Sequence, residues 1–182
     1  MLKTISVMCF LALPSIAYAA GNTQKPHSAN STVNITAKSY AYVTNYANYS
    51  VSACLVDPSN GSLSECKTNS LGTNNNYTLQ GIAISGNQAY ISVVSSDASS
   101  FRVVLCNVNG NTLNQCNTIS EQSGRALSST VLNGYFYAAN NTQNFINFCT
   151  LSSGGSCATT GTNLSGPSSG VGFYTNGSTT YA

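Results

Sequence analysis

What this 182-residue sequence has least of is charge. Asp, Glu, Lys and Arg together make up 5% of it, about a fifth of the share in ordinary soluble domains. The six basic and four acidic residues leave a net charge of +2 and form no basic run, which excludes nucleic-acid binding driven by counterion release. Histidine is almost missing. His27, the only one, lies in a stretch without apolar period (G-N-T-Q-K-P-H-S-A-N-S, residues 21–31), so it reads as solvated and no Ser-His-Asp triad can be drawn. The four acids, Asp57, Glu65, Asp97 and Glu121, are dispersed along the chain, and a paired acid–base site would have to be assembled by the fold. Asp57 is most simply a turn residue, and Arg102 and Arg125 are isolated arginines on strand edges or loops. No catalytic, cofactor-binding or metal-binding residue is therefore assigned. Helical periodicity is also lacking, and after the first segment no run of ~20 apolar residues follows that could span a bilayer.

That first segment, residues 1–19, has the form of a secretory signal. Lys3 supplies the basic start, residues 5–17 are apolar apart from Ser6, Pro14 and Ser15, and Ala17-Tyr18-Ala19 is a small-x-small cleavage site. Cys9 falls inside the apolar run, without the flanking small residues of a lipid-attachment site. Cleavage before Ala20 removes Lys3 and Cys9, leaving a net charge of +1 and six cysteines. An even cysteine count in an exported chain is the composition of a disulfide framework. The expectation is a soluble, secreted or periplasmic protein, with residues 20–32 a flexible lead-in.

What the mature chain does have is a repeat. Residues 40–66, Y-A-Y-V-T-N-Y-A-N-Y-S-V-S-A-C-L-V-D-P-S-N-G-S-L-S-E-C, return as 89–116 and, more eroded, as 135–157. Tyr42, Tyr90, Tyr137 and Tyr181 align at separations of 48, 47 and 44. A period in the forties with four short strands per unit points to propeller blades rather than the shorter coils of a β-helix. The expected fold is all-β, a β-propeller-like array over residues 33–182, with repeats near 33–80, 81–125 and 126–165 and a partial fourth at 166–182. Aromatic and small residues alternate, with Tyr42, Thr44 and Tyr46 on one face and Ala41, Val43 and Asn45 on the other, as in strands covered on both sides. A first strand is expected near Val33 or Ile35, tight turns at 57–61, 86–87, 109–112 and 152–155, and longer loops at 67–77 and 120–129.

The cysteines fall two to a repeat: Cys54 and Cys66, Cys106 and Cys116, Cys149 and Cys157, at separations of 12, 10 and 8. Each pair brackets a turn, and Val51, Val103 and Ile146 stand at the same distance before the first member. Of the ~15 pairings open to six cysteines, the repeat favours one within each hairpin. The rival chemistry is zinc, which prefers two to four residues between paired thiolates and often recruits histidine. These pairs enclose 11, 9 and 7 residues.

Tyr42-Val43-Thr44-Asn45, followed by a V-x-x-C-x-V strand and a Gly turn, resembles the YVTN family of β-propeller repeats, in its cysteine-bearing exported bacterial version. The resemblance runs from Tyr40 to about Tyr181, through Gly81-Ile82-Ala83-Ile84 as lead strand and Ala89-Tyr90-Ile91-Ser92 as a decayed copy, while Tyr137-Ala138-Ala139-Asn140 keeps only the Tyr and Asn. It implies propeller blades, export and a surface or periplasmic role, with no single activity attached. Three copies and half a fourth make about three and a half blades, fewer than the four of the smallest closed rings. The expectation is therefore a partial or truncated propeller, or one completed in an unusual way or by a second copy of the chain.

The function expected is that of a non-enzymatic binding or surface-interaction module, its ligand a protein or a glycan, held by the loops that differ between copies. The repeated tyrosines read as packing residues between blades rather than carbohydrate platforms. Asn-x-Ser/Thr triplets such as Asn48-Tyr49-Ser50 are what chance supplies in such a composition. The alternatives are a lactonase-like hydrolase, which needs two of the four acids in one pocket, and a structural envelope or surface-layer component, which would self-assemble. Non-reducing peptide mapping of the mature chain should recover Cys54 with Cys66, Cys106 with Cys116 and Cys149 with Cys157; a bond between repeats would overturn the hairpin pairing.

Overall fold

A computed structural model describes residues 38–72, 76–151, 157–159, 164–166, 168–176 and 179–181. The signal segment, the lead-in with His27, the strand expected near residues 33–35 and the turn expected at 152–155 lie outside the described residues. The described chain is all-β, and its strands follow one another as antiparallel meanders. Sheet one comprises β1 (Ser39–Asn45), β2 (Ser50–Val56) and β3 (Leu63–Ser70). Sheet two has β4 (Tyr77–Ser85), β5 (Gln88–Ser95), β6 (Ser100–Asn109) and β7 (Thr112–Ser123), and sheet three has β8 (Ala126–Leu132), β9 (Tyr135–Asn140), β10 (Phe145–Thr150) and β11 (Cys157–Thr159). A two-stranded fourth sheet pairs β12 (Tyr174–Asn176) with β13 (Thr179–Tyr181). Among the described residues the sheets form no closed ring.

The sheets are built alike in detail that the sequence does not announce. Lead strands β4 and β8 each carry a bulge at the same place relative to the repeated tyrosine, between Leu79 and Gly81 and between Ala126 and Ser128. The Asn133-Gly134 turn that follows β8 has positive φ at both residues (50° and 80°), the geometry of a tight two-residue hairpin. A second bulge sets the cysteines. Glu65 and Cys66 together face Cys54, and Gln115 and Cys116 face Cys106, with Glu65 and Gln115 both at positive φ (48° and 51°). Cys149 faces Cys157 directly. The structure joins Cys54 to Cys66, Cys106 to Cys116 and Cys149 to Cys157.

The sheets stack face to face, with sheet two in the middle. On β5, Ala89, Ile91 and Val93 point into a core shared with Val51 and Ala53 of sheet one. Tyr90 and Val94 point the other way, into a core shared with Phe136, Ala138 and Cys149 of sheet three. Strand β6 divides in the same manner, Val104 and Cys106 against Phe101 and Val103. Period two thus serves two cores. Burying side chains as large as Ile91, Phe101 and Phe136 stabilises by about 1.5–3 kcal/mol each.

Three of the repeated tyrosines, Tyr42, Tyr90 and Tyr137, each meet the next part of the stack. Tyr42 packs against the first core and donates a hydrogen bond to the Gly110 carbonyl of the β6–β7 turn (2.7 Å). Burial, and then the neighbouring Tyr40, push its pKa up to about 12. Tyr90 lies 6.2 Å from the Phe136 ring, and Tyr137 meets Phe173 edge-on at 4.8 Å. A polar seam reinforces the outer side of the first interface. Asn69 of β3 donates to the Asn111 carbonyl (2.9 Å) and accepts from the Leu113 amide (3.1 Å), while Asn111 donates to the Glu65 carbonyl (3.1 Å).

Of the two expected loops, 120–129 is largely strand and 67–77 is strand at its ends. Residues 67–70 belong to β3 and residues 120–123 to β7, while 126–129 open β8. The cause lies in their partners: β2 runs back to Ser50 and β6 to Ser100, and their backbone groups take Ser70 and Ser123 opposite them despite the polar sequence. Tyr46, expected in a strand, is in the β1–β2 turn.

Gly81 marks where β4 lies against β8. A Cβ there would stand 2.8 Å from Ser129 Oγ, 3.0 Å from Ser129 N and 3.1 Å from Ser92 Oγ. Alanine in place of a strand glycine ordinarily gains about 0.5–1 kcal/mol. Gly81→Ala should instead lose about 1–3 kcal/mol through overpacking, measured by chemical denaturation with disulfides intact, and a stabilised variant would contradict the close approach.

Candidate functional site

The β1–β2, β5–β6 and β9–β10 turns lie at one end of the stack together with the described residues of the links between sheets, and this end is here termed the connection end. Backbone bonds tie them together: Leu71 donates to Tyr49 (3.1 Å), Ser96 to Asn76 (2.8 Å), Gly124 to Ser99 (2.8 Å) and Asn141 to Arg125 (2.8 Å). Each turn is held by the polar residue that ends its strand. Asn45 donates to the hydroxyls of Ser50 (2.9 Å) and Ser52 (3.0 Å). Asn140, the aligned residue, accepts from the amides of Thr142 and Gln143 (both 3.2 Å) and donates to Asn147 Oδ1 (2.9 Å). Ser95 takes this place in sheet two, accepting from the Ser100 amide (3.0 Å). The Asn of the Y-V-T-N element is a turn clamp.

Between these turns lies a shallow depression of about 150 Å³. Tyr46 from the β1–β2 turn, Thr78 and Gln80 from β4, Ser95 and Ser96 from the β5–β6 hairpin and Arg125 from the β7–β8 link line it. Gln80 is the extra residue of the β4 bulge, a device that re-aims a side chain. Its carbonyl accepts from Thr44 Oγ1 (3.3 Å) and its amide donates to Thr78 Oγ1 (3.1 Å). Tyr46 is 57% exposed at the rim. The lining is neutral apart from one guanidinium.

No family model and no curated protein sequence matches the chain.

The two arginines are used differently. Arg102 of β6 faces Glu121 of β7 in register, Nε to Oε2 at 3.1 Å, and lies 4.2 Å from the centre of the Tyr77 ring. Among the described residues, no carboxylate bridges Arg125. The four acids occupy four elements and none lines the depression. Asp57 is in the β2–β3 turn at the far end, Glu65 on the β3 bulge, Asp97 in the β5–β6 turn and Glu121 in β7. No group of three His, Cys, Asp or Glu side chains placed to hold a metal occurs among the described residues. Of the recognition loops expected at 67–77 and 120–129, Arg125 reaches the depression, and residues 73–75 lie outside the described residues. Nothing in the sequence marks Tyr46 or Gln80 as a site residue, because a turn position and a bulge position both follow from pairing register.

Asp97 fixes the wall of the site. Its Oδ1 accepts from Ser95 Oγ (2.6 Å), Ser99 N (3.0 Å) and Ser99 Oγ (2.8 Å). These bonds lower its pKa from 3.8 to about 2. A carboxyl held lower in the folded chain contributes stability above its unfolded pKa and loses it as pH falls through the folded value. Wild type should therefore lose thermal stability between pH 3.8 and about 2 more steeply than Asp97→Asn; parallel curves would show the turn bonds to be idle.

Proposed function

We propose that the chain is an exported β-propeller-type repeat protein of the cysteine-bearing YVTN kind, working as a non-enzymatic binding module through the connection end of its sheets. The like-built meanders, their face-to-face stacking and the side-by-side lead strands β4 and β8 support the blade reading. In that reading β12 and β13 open a further blade on sheet three, which Phe173 touches through Tyr137. Three disulfides fit an oxidising compartment, extracellular or periplasmic.

The observation that carries the binding role is the depression itself. It is set on turns clamped by Asn45 and Ser95, rimmed by an exposed tyrosine and free of carboxylates among its lining residues, so it offers contacts and no acid–base pair. Variable loops on a rigid repeat are where such proteins place recognition. Titration of the mature chain against a panel of soluble polysaccharides and peptides should find a ligand whose affinity falls about tenfold, ~1.4 kcal/mol, with Tyr46→Ala and is unchanged by Leu63→Ala on exposed strand β3. The opposite pattern would move the site elsewhere. Turnover of lactones abolished by Asp97→Asn or Glu121→Gln would replace this reading with the hydrolase.

A further inference from the structure

We propose that the depression at the connection end is a subsite for one ring of an acidic saccharide, a hexuronate, with Arg125 holding the carboxylate and Tyr46 covering a face of the sugar. The proposal rests on the binding reading above and names its ligand class.

Size limits the ligand first. A volume of about 150 Å³ is well under the ~300–1,000 Å³ of sites for drug-sized molecules. It suits a single ring of a longer chain that continues over the open surface. Charge then separates acidic from neutral ligands. Arg102 is committed to Glu121 and Tyr77, whereas Arg125 lines the depression with no carboxylate among its lining residues. A guanidinium left among neutral hydroxyl and amide groups favours an anion, and its planar fork matches a carboxylate through two parallel hydrogen bonds. With one cation and no second base in the lining, the charge matches a monoanion better than a phosphate dianion.

Asp97 lies in the same turn as Ser96, and its charge has to be considered. Its Oδ1 is engaged by three donors of its own turn, and it does not line the depression. The other lining groups suit a sugar. The ring of Tyr46 is apolar with a polar tip, as a pyranose has an apolar face within a rim of hydroxyls. Thr78, Gln80, Ser95 and Ser96 bring hydroxyl and amide groups, which both donate and accept as sugar hydroxyls do. The bulge that turns Gln80 inward is part of β4, so this side is fixed by strand pairing.

The test is calorimetric titration of the mature, oxidised chain with a galacturonate tetrasaccharide and with the neutral galactose tetrasaccharide of the same linkage. The acidic oligomer should bind about tenfold or more tightly than the neutral one. Arg125→Gln should remove that preference, Arg125→Lys should restore part of it, and Tyr46→Ala should weaken both sugars. Thermal melts of each variant separate loss of binding from loss of fold, and Arg125→Lys with added salt provides the reading if Arg125→Gln does not fold. No binding of the galacturonate oligomer at millimolar concentration, or equal affinity for both sugars with Arg125→Gln silent, overturns the proposal. If a neutral sugar or a peptide binds instead and Tyr46→Ala abolishes it, the acidic ligand is wrong while the binding reading stands. If Tyr46→Ala leaves every bound ligand unaffected, both fall.

Discussion

Strands β5 and β6 carry apolar side chains on both faces, so sheet two has no surface to turn towards water and needs a sheet on either side. The positions of the other elements follow from meeting that need. Sheet one supplies Val51 and Ala53 to one face, and sheet three supplies Phe136 and Ala138 to the other. The lead strands must then approach closely, which is why position 81 carries no Cβ and why serines 92 and 129 stand opposite it. Stacking also brings the β1–β2 turn of sheet one beside the β5–β6 turn of sheet two and the β7–β8 link, and the depression lies between them.

Scarcity of charge shapes what remains outside the cores. The outer strand β3 is exposed along most of its length, and among the described residues neither a salt-bridge network nor a helix covers it. Bulges and cystines take that role. The extra residues Glu65 and Gln115 twist the outer strands where the cysteines lock them, which blunts an edge that would otherwise invite pairing. Loops this short make each cystine worth somewhat less than the ~3 kcal/mol of a 15-residue loop, and three of them still matter for a neutral chain of marginal stability. Neutrality also gives Arg125 its character: it is the one formally charged residue in a lining without acids.

Much of the architecture could be read from sequence because repetition multiplies weak signals. The strand character of 51–56, 89–93 and 101–108, the two-sided burial and the inward tyrosines all follow from alternation seen three times over. The cysteine spacing carries the hairpin pairing in the same way. Strand ends were not legible: K-T-N-S at 67–70 and S-E-Q-S at 120–123 have loop composition, and only the length of the neighbouring strand draws them into the sheet. The site was hardly legible. Arg125 stood out as an isolated charge, but Tyr46 and Gln80 owe their positions to a turn and a bulge, which depend on register between strands distant in sequence. The Asn of Y-V-T-N reads in sequence as part of a family motif, and in the structure it is the clamp that holds a turn of the site.

Sheet two is shared by two cores, and nuclear Overhauser contacts from β5 test this most directly. In the oxidised mature chain, the methyl groups of Ile91 and Val93 should show contacts with residues of sheet one, while the Tyr90 ring and Val94 methyls should show them with Phe136 and Ala138 of sheet three. Contacts from both sets to one and the same sheet, or a Tyr90 ring without a partner in sheet three, would contradict the stacked arrangement and with it the placement of the site.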